Sequence, residues 1–249
     1  MTYEHFAYLY DHLMKDVPYD KWVDFTRSKI AKYHVQGKKL LDLACGTGEL
    51  SVRMAHAGYE VTGVDLSSNM LTIAQEKAKK ECADISFFQQ NMAELEGLDH
   101  FDVIVVFCDS LNYLEEECDV LNTFKRVYDH LNDHGLFIFD VHSIYKLTNI
   151  FMNNTFGLND EDISYVWHCY QGEHTNSVEH ELTFFVLDER TGQYKRFDEL
   201  HMQRIFAVEQ YEIWLKEAGF KLLEINSDFG DNHYKKNAER LFFTAIKSY

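Results

Sequence analysis

The stretch LLDLACGTGELS, residues 40–51, decides how the rest of the chain reads. Leu40, Leu41, Leu43 and Ala44 give a short apolar run of the kind a strand covered on both faces requires. Gly46 and Gly48 follow, and a helix-forming segment starts at Glu49 and runs to about His56. Glycine admits backbone angles closed to other residues and lets a ligand approach the main chain. The first helical turn then offers N–H groups with no partner inside the helix, a seat for a polar or anionic group. The next apolar run, YEVTGVD (59–65), ends in Asp65, placed to accept both hydroxyls of a ribose. A glycine pair alone says little. Strand, glycine loop, helix, strand and acid in this order point to a nucleotide-like ligand.

Outward from this unit the alternation continues. SSNMLTIAQEKAKKE (67–81) predicts an amphipathic helix capped by Ser67 or Ser68, with Met70, Leu71, Ala74 and Ala78 on its apolar stripe. ISFFQQ (85–90), FDVIVVF (101–107) and GLFIFDV (135–141) predict three more strands, and Cys118–Leu131 a helix. Such alternation predicts a parallel sheet with right-handed crossovers. From about 163 to 206 the period changes. SYVWHCYQ (164–171) and SVEHELTFFVLDERTGQYKRFDELHMQRIF (177–206), turning at 188–192, predict a three-stranded antiparallel insert. Val208–Ala218 predicts a helix ended by Gly219, and FKLLEI (220–225) and RLFFTAIK (240–247) a closing antiparallel pair. The expected fold is α/β: a doubly wound, mostly parallel seven-stranded sheet with an antiparallel β insert. Residues 1–150 and 207–249 would form the core, 1–36 a helical cover segment, and 160–206 the insert.

Composition narrows the partners. In 249 residues, 24 Lys and Arg face 41 Asp and Glu, a formal charge of −17 with histidine neutral. So acidic a surface repels phosphate backbones and anionic lipid, and no long Lys/Arg run offsets it. Neither a nucleic acid nor a membrane is therefore an expected partner. The five cysteines show no C-x-x-C pair, and the N-terminus carries Glu4, Asp11 and Asp16 instead of an apolar secretory core. Reduced thiols and a cytoplasmic location are the expectation. Thirteen histidines form no compact His/Cys set, so no metal is expected.

The identity of the ligand turns on Asp42. An acid ahead of the first glycine would repel a pyrophosphate but suits a molecule with an ammonium and a sulfonium. Asp42, Gly46 and Gly48 as D-x-x-x-G-x-G, followed by the strand-end Asp65, resemble motifs I and II of class I S-adenosylmethionine-dependent methyltransferases. Ala44 stands where that family usually has glycine. The resemblance covers 39–141 and extends toward the C-terminal strand pair. It implies S-adenosylmethionine as cofactor, with Asp42, Ala44, Cys45, Gly46, Thr47 and Gly48 along its methionine part. It further implies Asp65 at the ribose, Leu66 and Met70 beside the adenine, and Asn91–Met92 at the adenine amine, the Asn91 carbonyl replacing the usual acid. FCDSLNYL (107–114) corresponds to the segment beneath the sulfonium, with Asp109, Ser110 and Asn112 as polar candidates. Structural readings stand beside these: Asp42 and Asp65 as turn caps, Asn91 and Asp109–Ser110 as helix caps, Met70 as core.

The acceptor is narrowed mostly by elimination. Pro18 is the single proline, so the Asn/Asp-Pro-Pro-aromatic element of enzymes acting on exocyclic base amines is missing, as is a Pro-Cys nucleophile. Asp109 and Asp140 lie where magnesium-dependent catechol enzymes carry acids, but Val141–His142 follows Asp140 in place of Asn. The aromatic segment 3–25 resembles the cofactor-covering segment of small-molecule members through Tyr8, Tyr10 and Asp11, and also reads as an amphipathic helix packed by Phe6, Leu9, Leu13 and Trp22. Tyr10, His142 and His168 are the candidate catalytic groups. Tyr165, Trp167, His168 and Tyr170 would enclose a small neutral or cationic acceptor if the insert is a lid, or be buried between subunits if it is a homodimer interface. The expected reaction is in-line displacement at the methyl carbon by N, O or C of a small molecule, driven by positioning with at most one general base. Methylation of tRNA or protein, a catalytically silent cofactor-binding module and a nicotinamide dehydrogenase are the competing readings. The charge of −17 opposes the first, and Asp42, with Ser51 in place of a third glycine, opposes the last.

Overall fold

The computed structural model describes residues 10–11, 14, 17–230 and 234–248. Its centre is β1 (Lys39–Leu43), whose Leu40, Leu41 and Leu43 are fully buried because helices cover both sheet faces. On one side β1 pairs in parallel with β2 (Glu60–Asp65), which pairs with β3 (Ile85–Gln89). On the other side it pairs in parallel with β4 (Phe101–Val106), which pairs with β5 (Leu131–His142). Antiparallel β11 (Arg240–Lys247) and β10 (Phe220–Ser227) close that edge, giving the order β10-β11-β5-β4-β1-β2-β3. The chain reverses direction of travel between β3 and β4, so a crevice opens beyond the C-terminal ends of β1 and β4.

The two faces bury different side chains of the same strands, as the two-residue period requires. Leu40, Val103, Val105, Leu136 and Ile138 pack with α1 (Tyr19–Lys32) and α2 (Glu49–His56). Leu41, Leu43, Ile104, Val106, Phe137 and Phe139 pack with α4 (Glu117–His130) and α5 (Val208–Glu217). Between β2 and β3 runs α3 (Ser68–Lys80), whose N-cap Ser67 accepts the Met70 N–H at 3.3 Å.

The second sheet differs from expectation. It has four strands in the order β6-β7-β8-β9: Thr155–Asn159, Ile163–Gln171, Ser177–Asp188 and Gln193–Arg204. The extra β6 is TFGLN, too short and polar to announce itself, and pairs with β7 through Phe156↔Trp167. Likewise β5 begins at Leu131, its polar opening Asn132–His134 having hidden it.

Alternation divides the insert into an inner and an outer face. Trp167, Leu182 and Glu199 stand opposite one another on the inner face, as do Cys169, His180 and His201. Two contacts of Arg204 hold the insert over the ends of β4 and β5. The fully buried Asn112 donates to the Arg204 carbonyl at 3.0 Å and accepts the His142 N–H at 2.9 Å. Arg204 donates to the Glu115 carbonyl at 2.6 Å. A short helical segment, Ile144–Lys146 continuing as a π-turn over Leu147–Phe151, packs Leu147 and Phe151 against Cys169, Val178 and Ile205 of the insert and its exit.

Candidate functional site

The glycine loop is held open from both ends. Gly46 and Gly48 take φ of +55° and +75°, the left-handed region that glycine adopts without strain. A Cβ at Gly46 would meet nothing within 4 Å, so the loop presents bare backbone to open space. At Gly48 a Cβ would lie 2.9 Å from that of Ala74, so this second glycine serves the seating of the loop on α3. Ala44 adopts φ +63° without glycine's freedom, a strain the buried neighbouring strand imposes.

Asp65 clamps this loop. Its carboxylate accepts the Gly46 N–H and the Ser67 N–H, each at 2.8 Å. Burial pushes its carboxyl up, while the Ser67 and Gly46 N–H groups pull it back. Beside it Leu66 is 67% exposed, a large apolar side chain on the rim of the crevice. Asp42 lies beneath, buried, accepting the Ser51 hydroxyl at 2.5 Å. Burial, with Asp65 nearby, raises its carboxyl to about 7 against the hydrogen bond from Ser51. Asp42 thus ties β1 to α2 below the loop, and Cys45, half-buried, is a thiol raised well above its usual range by burial.

Further round, Asn91 accepts the Ala93 N–H at 3.0 Å and caps the short turn Met92–Glu94. Its carbonyl, the expected adenine acceptor, thus gives one lone pair to a backbone donor and keeps the other. Met92 is half-buried against the core, and Met70 is likewise half-buried. Thr47 donates to Asp11 at 2.5 Å, and Lys77 bridges Asp11 at 2.8 Å and Glu49 at 2.9 Å. The cover segment thereby reaches the glycine loop through Asp11. Tyr10 hydrogen-bonds Tyr19 in the neighbourhood of Cys108, Tyr113 and Asp109, and burial raises its phenol well above the ordinary value, keeping it protonated at neutral pH. Phe6, Tyr8, Leu9 and Leu13 lie outside the described residues.

The end of β4 is the most constrained part of the site. Cys108 and Asp109 both take left-handed φ, +55° and +54°. Two successive non-glycine residues in that region are held only by their surroundings. Here the surroundings are ionic. Arg240, at the start of β11, donates to Asp109 at 2.7 Å and to Asp140 at 2.9 Å. Asp140 is fully buried and also accepts Trp22 Nε1 at 2.7 Å and the Asp109 N–H at 2.9 Å. Asp109 further accepts Gln203 Nε2 at 2.8 Å and faces His142 Nε2 at 3.2 Å. Burial would raise Asp109, but the His142 ring and the Arg240 guanidinium overcome it and hold the carboxyl well below the usual range. Asp140 is raised by burial, Arg240 opposing.

This network reassigns several expected roles. Asp109 does not cap the turn that follows it, and Ser110 donates to the Phe107 carbonyl at 2.7 Å. The pair Asp109–Asp140 shares a guanidinium, and no cluster of metal-ligating residues occurs among the described residues. His142 is buried and lowered by that burial to about 4; its Nδ1 has no hydrogen-bond partner among the described residues. His168 requires a correction. The two-residue period turns it outward with Val166 and Tyr170, where Thr155 Oγ1 meets its Nδ1 at 2.8 Å, away from the crevice. Tyr165 and Trp167 share the inward face, while Tyr170 follows His168 outward.

Groups absent from the sequence reading complete the site. His180 Nδ1 accepts Trp167 Nε1 at 3.0 Å, and its Nε2 meets Gln203 Oε1 at 3.2 Å. Gln203 then passes the chain of hydrogen bonds to Asp109. His201 meets Tyr113, their rings 5.9 Å apart. Position parity along β9 was the available signal: Gln203, His201 and Glu199 fall on one face with the apolar Phe197.

The residues present fit the cofactor implied by the resemblance. An open glycine cradle, an acid at the end of β2, an exposed apolar rim at Leu66 and a polar wall at the end of β4 surround one crevice.

Comparison with known proteins agrees. Residues 40–135 match the family of methyltransferase domains. A Geobacillus sp. (strain WCH70) protein provisionally named as a methyltransferase is 55% identical over 99% of this chain and 100% of its own length. YqeM of Bacillus subtilis (strain 168), also provisionally named as a methyltransferase, is 46% identical over 100% of this chain and 98% of its own. The crystal structure of an S-adenosylmethionine-dependent methyltransferase from Clostridium acetobutylicum ATCC 824 superposes with a TM-score of 0.90 at 33% identity, covering 99% of both chains.

Proposed function

This chain belongs to the class I S-adenosylmethionine-dependent methyltransferases, and on that premise we propose that it methylates a small organic molecule enclosed beneath the four-stranded insert. The observation that carries this reading is the insert's attachment. Gln203, Arg204 and His201 join it to Asp109, Asn112 and Tyr113, directly over the end of β4 where the crevice opens. A covered crevice of that kind suits a compact acceptor. The charge of −17 argues against a phosphate backbone following the surface.

In this reading the bare backbone of Gly46–Gly48 and the neighbouring Ala44, Cys45 and Thr47 border the methionine part of S-adenosylmethionine. Asp65 receives ribose hydroxyls on the lone pairs its two backbone bonds leave free. Leu66 and Met70 flank the adenine, and the Met92 N–H with the Asn91 amide faces its edge. The cofactor supplies a methyl group on a sulfonium, already an excellent leaving group. The protein's own task is therefore to hold the acceptor atom in line and exclude water. Tyr10, protonated and hydrogen-bonded to Tyr19, stands in the neighbourhood of Asp109. His142, uncharged at pH 7 through burial, is a positioning group whose Nε2–H faces Asp109.

The test is transfer of labelled methyl from S-adenosylmethionine to a metabolite extract and, separately, to bulk RNA and bulk protein. Label in the metabolite arm supports the reading. Label confined to RNA or protein overturns it.

A further inference from the structure

Glu199 is an acid that the site so described does not use. It lies near the middle of β9, only 8% exposed, and no hydrogen bond or ion pair reaches it among the described residues. A carboxylate on so buried a residue is normally paired; the Glu199 oxygens instead keep an edge open to solvent. Here the neighbouring cations are engaged elsewhere: Lys195 with Asp188 at 2.8 Å, and Arg196, on the outer face, with Asp198 at 2.8 Å. Burial raises the Glu199 carboxyl, and no neighbouring charge opposes it.

Its surroundings are those of a cation site. Trp167 stands in register with it two strands away, and Phe197 and His201 flank it on the same face. His201 is lowered by burial and stays uncharged at neutral pH, so it does not serve as the missing cation. That face is the one directed at the crevice, since Gln203 on it reaches Asp109 and His201 meets Tyr113. At about 3.4 Å per residue, Glu199 stands roughly 7 Å along the strand from His201. A small molecule could span from there to the end of β4. Aromatic rings beside a buried carboxylate recognise an ammonium group through cation–π and charge-assisted contacts together. The chain's excess of acids also draws cations toward the crevice.

We propose that Glu199 is the recognition group for a protonated amine on the methyl acceptor, so that the substrate class is a small organic cation. The proposal rests on the small-molecule reading above and adds the charge of the substrate. Glu199 binds and orients the acceptor; the methylated atom lies toward Asp109 and Tyr113.

The experiment separates the two readings. A metabolite extract is split at pH 7 on a cation exchanger, and each fraction is incubated with the full-length protein and labelled S-adenosylmethionine. Label is expected in the fraction the exchanger retains. With that fraction, Glu199→Gln should raise KM about 10- to 100-fold, the scale for losing a charged hydrogen-bond partner. Its affinity for S-adenosylhomocysteine, measured by calorimetry, should stay within twofold, and Glu199→Asp should recover part of the KM loss. Label only in the unretained fraction, or an unchanged KM in Glu199→Gln, overturns the amine assignment and leaves the small-molecule reading standing. Label only in RNA or protein overturns both. The fractionation uses the unaltered protein, so it decides the question even if Glu199→Gln fails to fold.

Discussion

Arg240→Met is the sharpest single perturbation this structure suggests. Arg240 bridges Asp109 at 2.7 Å and Asp140 at 2.9 Å, and Asp140 is wholly shielded from water. Each charge-assisted hydrogen bond nets about 1.5–3 kcal/mol, and breaking a buried pair by removing one partner costs about 3–5 kcal/mol. Methionine conserves much of the volume but leaves two carboxylates without their cation. Asp140 retains Trp22 and the Asp109 N–H, and Asp109 retains Gln203 and His142, so the loss should fall within that range and not exceed it. Against a typical stability of about 5–15 kcal/mol, such a loss is severe. Urea unfolding followed by tryptophan fluorescence at pH 7 measures it, with Trp22 reporting beside Asp140. The sign of the pH dependence follows from the same contacts. Asp109 is held below its unfolded pKa, so its contribution is present above about pH 4 and lost as pH falls. In the variant Asp140, raised by burial, loses the charge that opposed this and becomes protonated more readily. The deficit should therefore be largest near neutrality and shrink toward pH 4. A loss below about 1 kcal/mol at pH 7, or a deficit independent of pH, would refute the reasoning.

The two loop glycines should separate by experiment. Gly46→Ala, with open space for its Cβ, should cost about 1 kcal/mol of backbone strain yet weaken S-adenosylhomocysteine binding at least tenfold in calorimetry. Gly48→Ala, forced against Ala74, should lose more stability than Gly46→Ala in the same urea assay. Ala44→Gly relieves a left-handed alanine and should stabilise the fold by up to about 1 kcal/mol in urea unfolding, with binding kept. His142 and His180 are both lowered to about 4 by burial, so the unfolded chain binds more protons below pH 6.5. Stability should thus be complete above about pH 6.5 and decline as pH falls toward 4; urea midpoints at pH 7, 5.5 and 4.5 check it, with a weaker decline expected in His180→Gln.

Much of the fold was legible in the strand periods. The buried runs of β1, β4 and β5 are near-continuous apolar sequence because both sheet faces are covered, and no tertiary information is needed to recognise them. The Ser67 cap and the Asp42–Gly46–Gly48–Asp65 arrangement are equally local: each depends on residues a few positions apart along one strand, loop and helix. Those elements were read with nearly the observed bounds. The exceptions are polar where strands are usually apolar. Asn132–His134 hid the start of β5, and TFGLN, lying at the sheet's edge, carried too little hydrophobic signal to predict β6.

The site is split along the same line. Sequence alone determined the glycine loop and the strand ends beside it, because neighbouring residues assemble them. The end of β4 and the insert over it were decided only by tertiary structure. His168 and Trp167 are adjacent in the chain, yet the register of β7 against β6 and β8 turns one outward and the other inward. Asp109 read as a cofactor contact or a cap; its pairing with Arg240, from the far end of the chain, and with Gln203, from the insert, is visible only in the tertiary structure. Glu199 is one of 41 acids in the sequence and is distinguished by its burial and by having no hydrogen-bond or ion-pair partner among the described residues. Charge pairing and burial depend on residues that are remote in sequence and adjacent in space, and for that reason the periodicity of a single strand cannot contain them.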